Sequence, residues 1–195
     1  MSKVVKFGGA LALVFGLTNM AVAAQDHTHH AAHVHGVGNL EVVQDGNTVF
    51  IALESPLYNV LGFEHAPKTD AQRVLARRVS NLLKANGLFS LTRDAQCRRS
   101  SHKLVSEVLN PHTHEKGHDH SHDHSHSHNG THSEHADFRA EYEFECRKPE
   151  LLTDILVRVF QQFSGFTELH VQAVLPSGQV GATLTPNQTT LVLKK

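Results

Sequence analysis

Phe138-Arg139-Ala140-Glu141-Tyr142-Glu143-Phe144-Glu145-Cys146 is the stretch that decides the fold. Its apolar residues, Phe138, Ala140, Tyr142, Phe144 and Cys146, alternate with Arg139, Glu141, Glu143 and Glu145. A period of two belongs to a strand with one face on a core and the other in water. Half-solvated strands of this kind are typical of antiparallel sheets. Cys146 falls on the inward set, so a bridge from it would sit at the edge of the core.

The neighbouring stretches extend that sheet. Upstream, 37–43 and 49–53 are strand-like runs separated by Asp45-Gly46-Asn47, a hairpin signal, and Pro56 ends the second run. Downstream, 167–175 and 179–184 form two more strands joined at Pro176-Ser177-Gly178, and 190–193 forms a short last one. Residues 88–91 and 103–109 are further strand candidates.

Two helices are expected. Thr69-Asp70-Ala71-Gln72 has the form of a capping box, and Ala71, Val74, Leu75, Val79, Leu82 and Leu83 recur at helical spacing up to Asn86-Gly87. Pro149 suits a helical first turn, with Leu152, Ile155, Leu156, Val159, Phe160 and Phe163 on one face and Gly165 as the stop. The expected fold is α+β: a mostly antiparallel sheet carrying two main amphipathic helices, 69–85 and 150–164, on one face, with a disordered His-rich loop inserted between strands.

At 195 residues the chain suits a single domain. Lys and Arg number 18 against 19 for Asp and Glu, a balance that favours neither nucleic acid nor an acidic membrane surface as a partner. Residues 1–23 have the form of a signal peptide: Lys3 and Lys6, an apolar run over 7–17, and Ala21-Val22-Ala23 for cleavage. That apolar run is shorter than the roughly 20 residues of a bilayer span. The mature chain would begin near Ala24, with no membrane attachment after cleavage. Export to an oxidising compartment makes a Cys97–Cys146 disulfide the favoured state of the two cysteines. A pair of thiolate metal ligands is the alternative.

Histidine is the compositional outlier, with 18 residues. Ten lie in an insert at 110–135: His112, His114, His118, His120, His122, His124, His126, His128, His132 and His135. From His118 to His128 every second residue is histidine, interleaved with Asp119, Ser121, Asp123, Ser125 and Ser127. Such a segment has little to bury and should be disordered without a ligand. Neutral imidazole binds Zn²⁺, Cu²⁺ and Ni²⁺. With three or four ligands per zinc, ten histidines suffice for roughly two or three ions. Ordering a loop on each binding event keeps affinity moderate and exchange fast, which suits capture and delivery.

Outside the insert, 24–35 is a His-rich leader ending in His33-Val34-His35, whose two imidazoles would share a face on a nascent strand. His65 stands in a loop beside Glu64, and this set could form one tighter site in the domain. His102 and His170 each stand alone.

His33-Val34-His35-Gly36, Leu53-Glu54-Ser55-Pro56 and Gly62-Phe63-Glu64-His65-Ala66-Pro67 resemble the periplasmic zinc-binding proteins of the ZrgA type. The His/Asp-rich insert, the Tyr142-Glu143-Phe144-Glu145-Cys146 strand and the segment after Pro149 extend the resemblance over essentially the whole mature chain. It implies a zinc-binding protein of the Gram-negative periplasm that assists import by a high-affinity zinc ABC transporter. Transporter components would be its partners, the periplasmic substrate-binding protein above all. The resemblance carries over His33, His35, Glu64 and His65 as motif positions and the insert as the zinc-binding segment. The alternatives are a metalloenzyme of the copper/zinc superoxide dismutase kind, which shares a His-x-His on a strand, and a general nickel or copper buffer. Ser-His-Asp, His-Glu-x-x-His and Gly-x-Ser-x-Gly arrangements do not occur, so the chain is expected to bind metal rather than catalyse.

Overall fold

The structure, a computed structural model, describes residues 34–110 and 136–194. Residues 1–23, expected to be a signal peptide, the leader up to His33 and the ten insert histidines lie outside the described residues.

Strand β1 (Val37–Asp45) turns at Gly46 into β2 (Thr48–Pro56), and the two pair antiparallel from Asn39↔Glu54 to Asp45↔Thr48. Gly46 takes φ +55°, which the tight turn requires and glycine supplies at little cost. One helical turn, α1 (Tyr58–Leu61), follows, then α2 (Asp70–Lys84). The expected capping box of α2 is formed. Gln72 N–H donates to Thr69 Oγ1 at 3.2 Å, and Gln72 Oε1 accepts from Thr69 N–H at 3.3 Å.

The remaining strands are β3 (Phe89–Leu91), β4 (Cys97–Val105), β5 (Asp137–Cys146), β6 (Asp154–Val157), β7 (Glu168–Leu175), β8 (Gly178–Leu184) and β9 (Thr190–Val192). They form a six-stranded sheet, β4-β5-β2-β1-β7-β8, and a three-stranded sheet, β3-β6-β9. Every pair in the large sheet is antiparallel except β1–β7. The deciding stretch behaves as its pattern requires: Phe138, Ala140, Tyr142, Phe144 and Cys146 are all buried on β5.

One buried cluster joins Leu40, Ile51 and Leu53 of the large sheet to Val79 and Leu83 of α2 and to Ile155, Val157 and Leu191 of the small sheet. Tyr142 stitches the layers together. Its hydroxyl donates to the Leu83 carbonyl at 2.6 Å, and its ring meets Phe89 edge-on at 5.1 Å. Burial pushes the Tyr142 phenol well above its ordinary range.

The second main helix does not form. In place of a helix over 150–164 there is a 3₁₀ turn (Pro149–Leu151), strand β6, and a single turn α3 (Val159–Gln162). Ile155, Val157 and Val159 are buried while Leu156 and Arg158 are only half-buried. The operative period is therefore two. A short apolar run is compatible with both periods. Here β-branched residues and two waiting partner strands decide for the ladder. The strand expected at 103–109 is instead β4, starting at Cys97, and its tail bends into a turn where Asn110 N–H donates to Ser106 O at 3.1 Å. A polar edge strand with Leu104 as its one fully buried residue carries almost no alternation to read.

Cys97 and Cys146 are bridged, and they are register partners on β4 and β5. The thiolate-ligand alternative falls away.

Candidate metal-capture rim

Topology puts the chain ends that lead to both His-rich segments at one end of the large sheet. There β1 begins, β2 ends, β5 begins and β4 ends, as the pairs Asn39↔Glu54, Pro56↔Asp137 and Val105↔Arg139 require. The leader therefore enters, and the insert leaves and returns, on the same rim. At about 4.8 Å per strand, the starts of β1 and β5 lie only about 10 Å apart. The insert connects β4 to its neighbour β5. Its exit is fixed where Leu57 N–H donates to Ala136 O at 2.8 Å.

The next residue after Leu57 reaches the leader. The Tyr58 ring stacks on His35 with centroids 4.0 Å apart and an interplanar angle of 7°. His35 Nε2 lies 3.0 Å from Glu64 Oε1. A carboxylate oxygen only accepts, so Nε2–H donates, and in a neutral imidazole that tautomer has its lone pair on Nδ1. The Glu64 side chain is 8% exposed and that of His35 46%. An imidazole backed by a sheltered carboxylate is the arrangement that orients a metal-binding histidine and raises its basicity.

The backbone beside His35 is clamped. Gly36 N–H donates to Asn59 Oδ1 at 2.7 Å, while Asn59 Nδ2 donates to Val37 O at 2.9 Å and to Ser55 Oγ at 2.8 Å. Gly36 O accepts from Thr167 N–H at 2.7 Å. Gly36 has φ +90°, and a Cβ there would lie 2.7 Å from Thr167 Oγ1. Only glycine fits this turn without strain. His35 thus sits in a turn before β1, not on the strand where it was expected.

The structure therefore brings His35 and Glu64 together. His65 points elsewhere. Its ring stacks on Phe63 at 5.0 Å and its Nδ1 lies 2.9 Å from Ala66 O, in a residue that is exposed overall. His33 is outside the described residues. Among the described residues no group of three or more His, Cys, Asp and Glu forms a metal cluster. Within that set His35 is the imidazole backed by a sheltered carboxylate, and further ligands would come from the two His-rich segments. His170 lies exposed on β7, 3.4 Å from Glu168, and His102 lies exposed on β4.

Two supports were not foreseen from sequence. Asn59 is 2% exposed and is the pin just described. Its only sequence signal is a lone asparagine in an apolar run. Arg139, two residues into β5, donates to Glu41, Glu54 and Glu141 at 2.8–3.0 Å and ties three strands together beside the rim. The hydrogen bond to Glu41 leads the effects that hold its guanidinium above its ordinary value, with burial opposing.

Residues 32–193 match the family described as ZrgA family zinc uptake protein. No curated protein matches the chain.

Proposed function

Because the chain belongs to the ZrgA family of zinc uptake proteins, we propose that it is a periplasmic zinc-binding accessory protein. On this reading it captures zinc and passes it to a high-affinity ABC transporter, through that system's substrate-binding protein. The observation that carries the reading is the shared rim. The chain ends that lead to two histidine-rich segments, far apart in sequence, lie at one end of one sheet beside the His35–Glu64 pair.

The chemistry follows from that placement. Imidazoles of the insert and leader take up Zn²⁺, several ions per chain, and His35 supplies a ligand held in one orientation by Glu64 and Tyr58. Ligands on a long connecting segment of low apolar content exchange metal readily, which suits transfer rather than catalysis. Export is supported by Lys3, Lys6 and Ala21-Val22-Ala23, and by the Cys97–Cys146 disulfide, a bond rare in reducing compartments.

The test is zinc titration calorimetry on the chain from Ala24, on a variant lacking 112–135, and on His35→Ala. The insert deletion is expected to stay folded, since it shortens the connection between two adjacent strands, and to lose most of the zinc stoichiometry. His35→Ala should keep the stoichiometry but weaken the tightest phase by about 10-fold or more, the scale of losing an oriented ligand shell. Full stoichiometry in the deletion variant would overturn the reading.

A further inference from the structure

The two edges of the large sheet are built differently. The β4 edge carries Arg98, Arg99, His102 and Lys103, and its register shifts between Arg99 and Ser101. Charges and a bulge are the usual protection of an open edge against further pairing. The β8 edge, Gly-Gln-Val-Gly-Ala-Thr-Leu, has no charge, no proline and no register shift against β7. Among the described residues it pairs only with β7.

Its pattern is self-complementary. Gly181 is the midpoint of Gly178–Leu184, and a Cβ placed there meets nothing within 4 Å. Val180 and Ala182 face the core but stay half-buried, whereas Gln179 and Thr183 are exposed on the other side. We propose that β8 is the pairing edge of a symmetric homodimer, in which two copies of Gly178–Leu184 align antiparallel about Gly181. In that register the whole strand is used. Val180 meets the partner's Ala182 on the core side, which completes the burial of both. Gln179 lies opposite the partner's Thr183 on the outer side. The sheet then runs through both copies, with their His-rich rims at opposite ends. A second copy suits this edge better than a charged partner, because the strand offers no charge to complement. The area is small beside the standard interface of about 1,600 Å², so the dimer is concentration-dependent.

Sedimentation velocity in EDTA, over a concentration series of the chain from Ala24, tests this with zinc bridging removed. Gln179→Lys/Thr183→Lys places lysine opposite lysine twice across the two-fold. It should weaken association by about 10-fold, two like-charge cross-strand pairs. Gln179→Glu/Thr183→Lys places opposite charges in the same positions and should restore association to the parent level or above. Circular dichroism checks that each variant is folded. A parent that stays monomeric throughout, a dimer indifferent to both variants, or a Glu/Lys variant as weak as Lys/Lys would each overturn the proposal. If Lys/Lys does not fold, the Glu/Lys variant decides alone: association weaker than the parent's refutes the register.

Discussion

Replacing the bridge, Cys97→Ala/Cys146→Ala, tests how the domain tolerates its insert. The cysteines are 49 residues apart, and the closed loop contains the whole insert. Chain-entropy arithmetic gives such a loop about 4 kcal/mol at 25 °C. For a domain of this size that is a fall in Tm of about 8–16 °C. The useful control is the same pair of substitutions in the variant lacking 112–135. Halving the loop lowers the closure entropy by only about 0.6 kcal/mol, so the bridge should still contribute about 3.5 kcal/mol there. The assay is thermal unfolding by circular dichroism for all four proteins under non-reducing conditions. A bridge-free protein melting within 2 °C of the parent would refute the chain-entropy reasoning. So would a bridge whose whole effect disappears with the insert, because the bond would then serve only to hold the loop's root.

Two further outcomes follow from buried polar groups. Asn59→Ala removes the acceptor for Gly36 N–H and the donor to Val37 O and Ser55 Oγ; urea unfolding should show a loss of about 1–3 kcal/mol, and a change under 0.5 kcal/mol would contradict the pinning role. Tyr142 has a phenol pKa raised by burial, so its contribution is intact below the unfolded value near 10. It is lost as pH rises beyond that point, because the unfolded chain ionises first. Stability measured by urea unfolding should therefore drop above about pH 10, and Tyr142→Phe should flatten that limb at a cost of about 1 kcal/mol near neutral pH. An equally steep limb in Tyr142→Phe would assign the loss to other groups.

Local chemistry was legible wherever one period or one motif stood unopposed. The 138–146 alternation, the Asp45-Gly46-Asn47 turn and the Thr69–Gln72 capping box each specify backbone geometry within a few residues, and each is realised. The Cys97–Cys146 pairing followed from their number and the expected compartment. Segment 150–164 was misread because Leu152, Ile155, Leu156 and Val159 fit a helical stripe as well as a strand. The partners that decide between them, β3 and β9, lie on either side of β6 in space but far from it in the chain.

The site divides in the same way. Imidazole density is a property of composition, so the metal chemistry of 112–135 could be read directly from the residues. That Glu64 would meet His35, 29 residues away, could not. That contact depends on Asn59 and Thr167 gripping Gly36, and on Tyr58, just past the end of β2, stacking on the imidazole ring. That the chain ends leading to leader and insert share one rim is likewise a consequence of strand order. A histidine's type and spacing are local, but which end of which strand it hangs from is set by non-local pairing, and only the folded sheet brings those ends together.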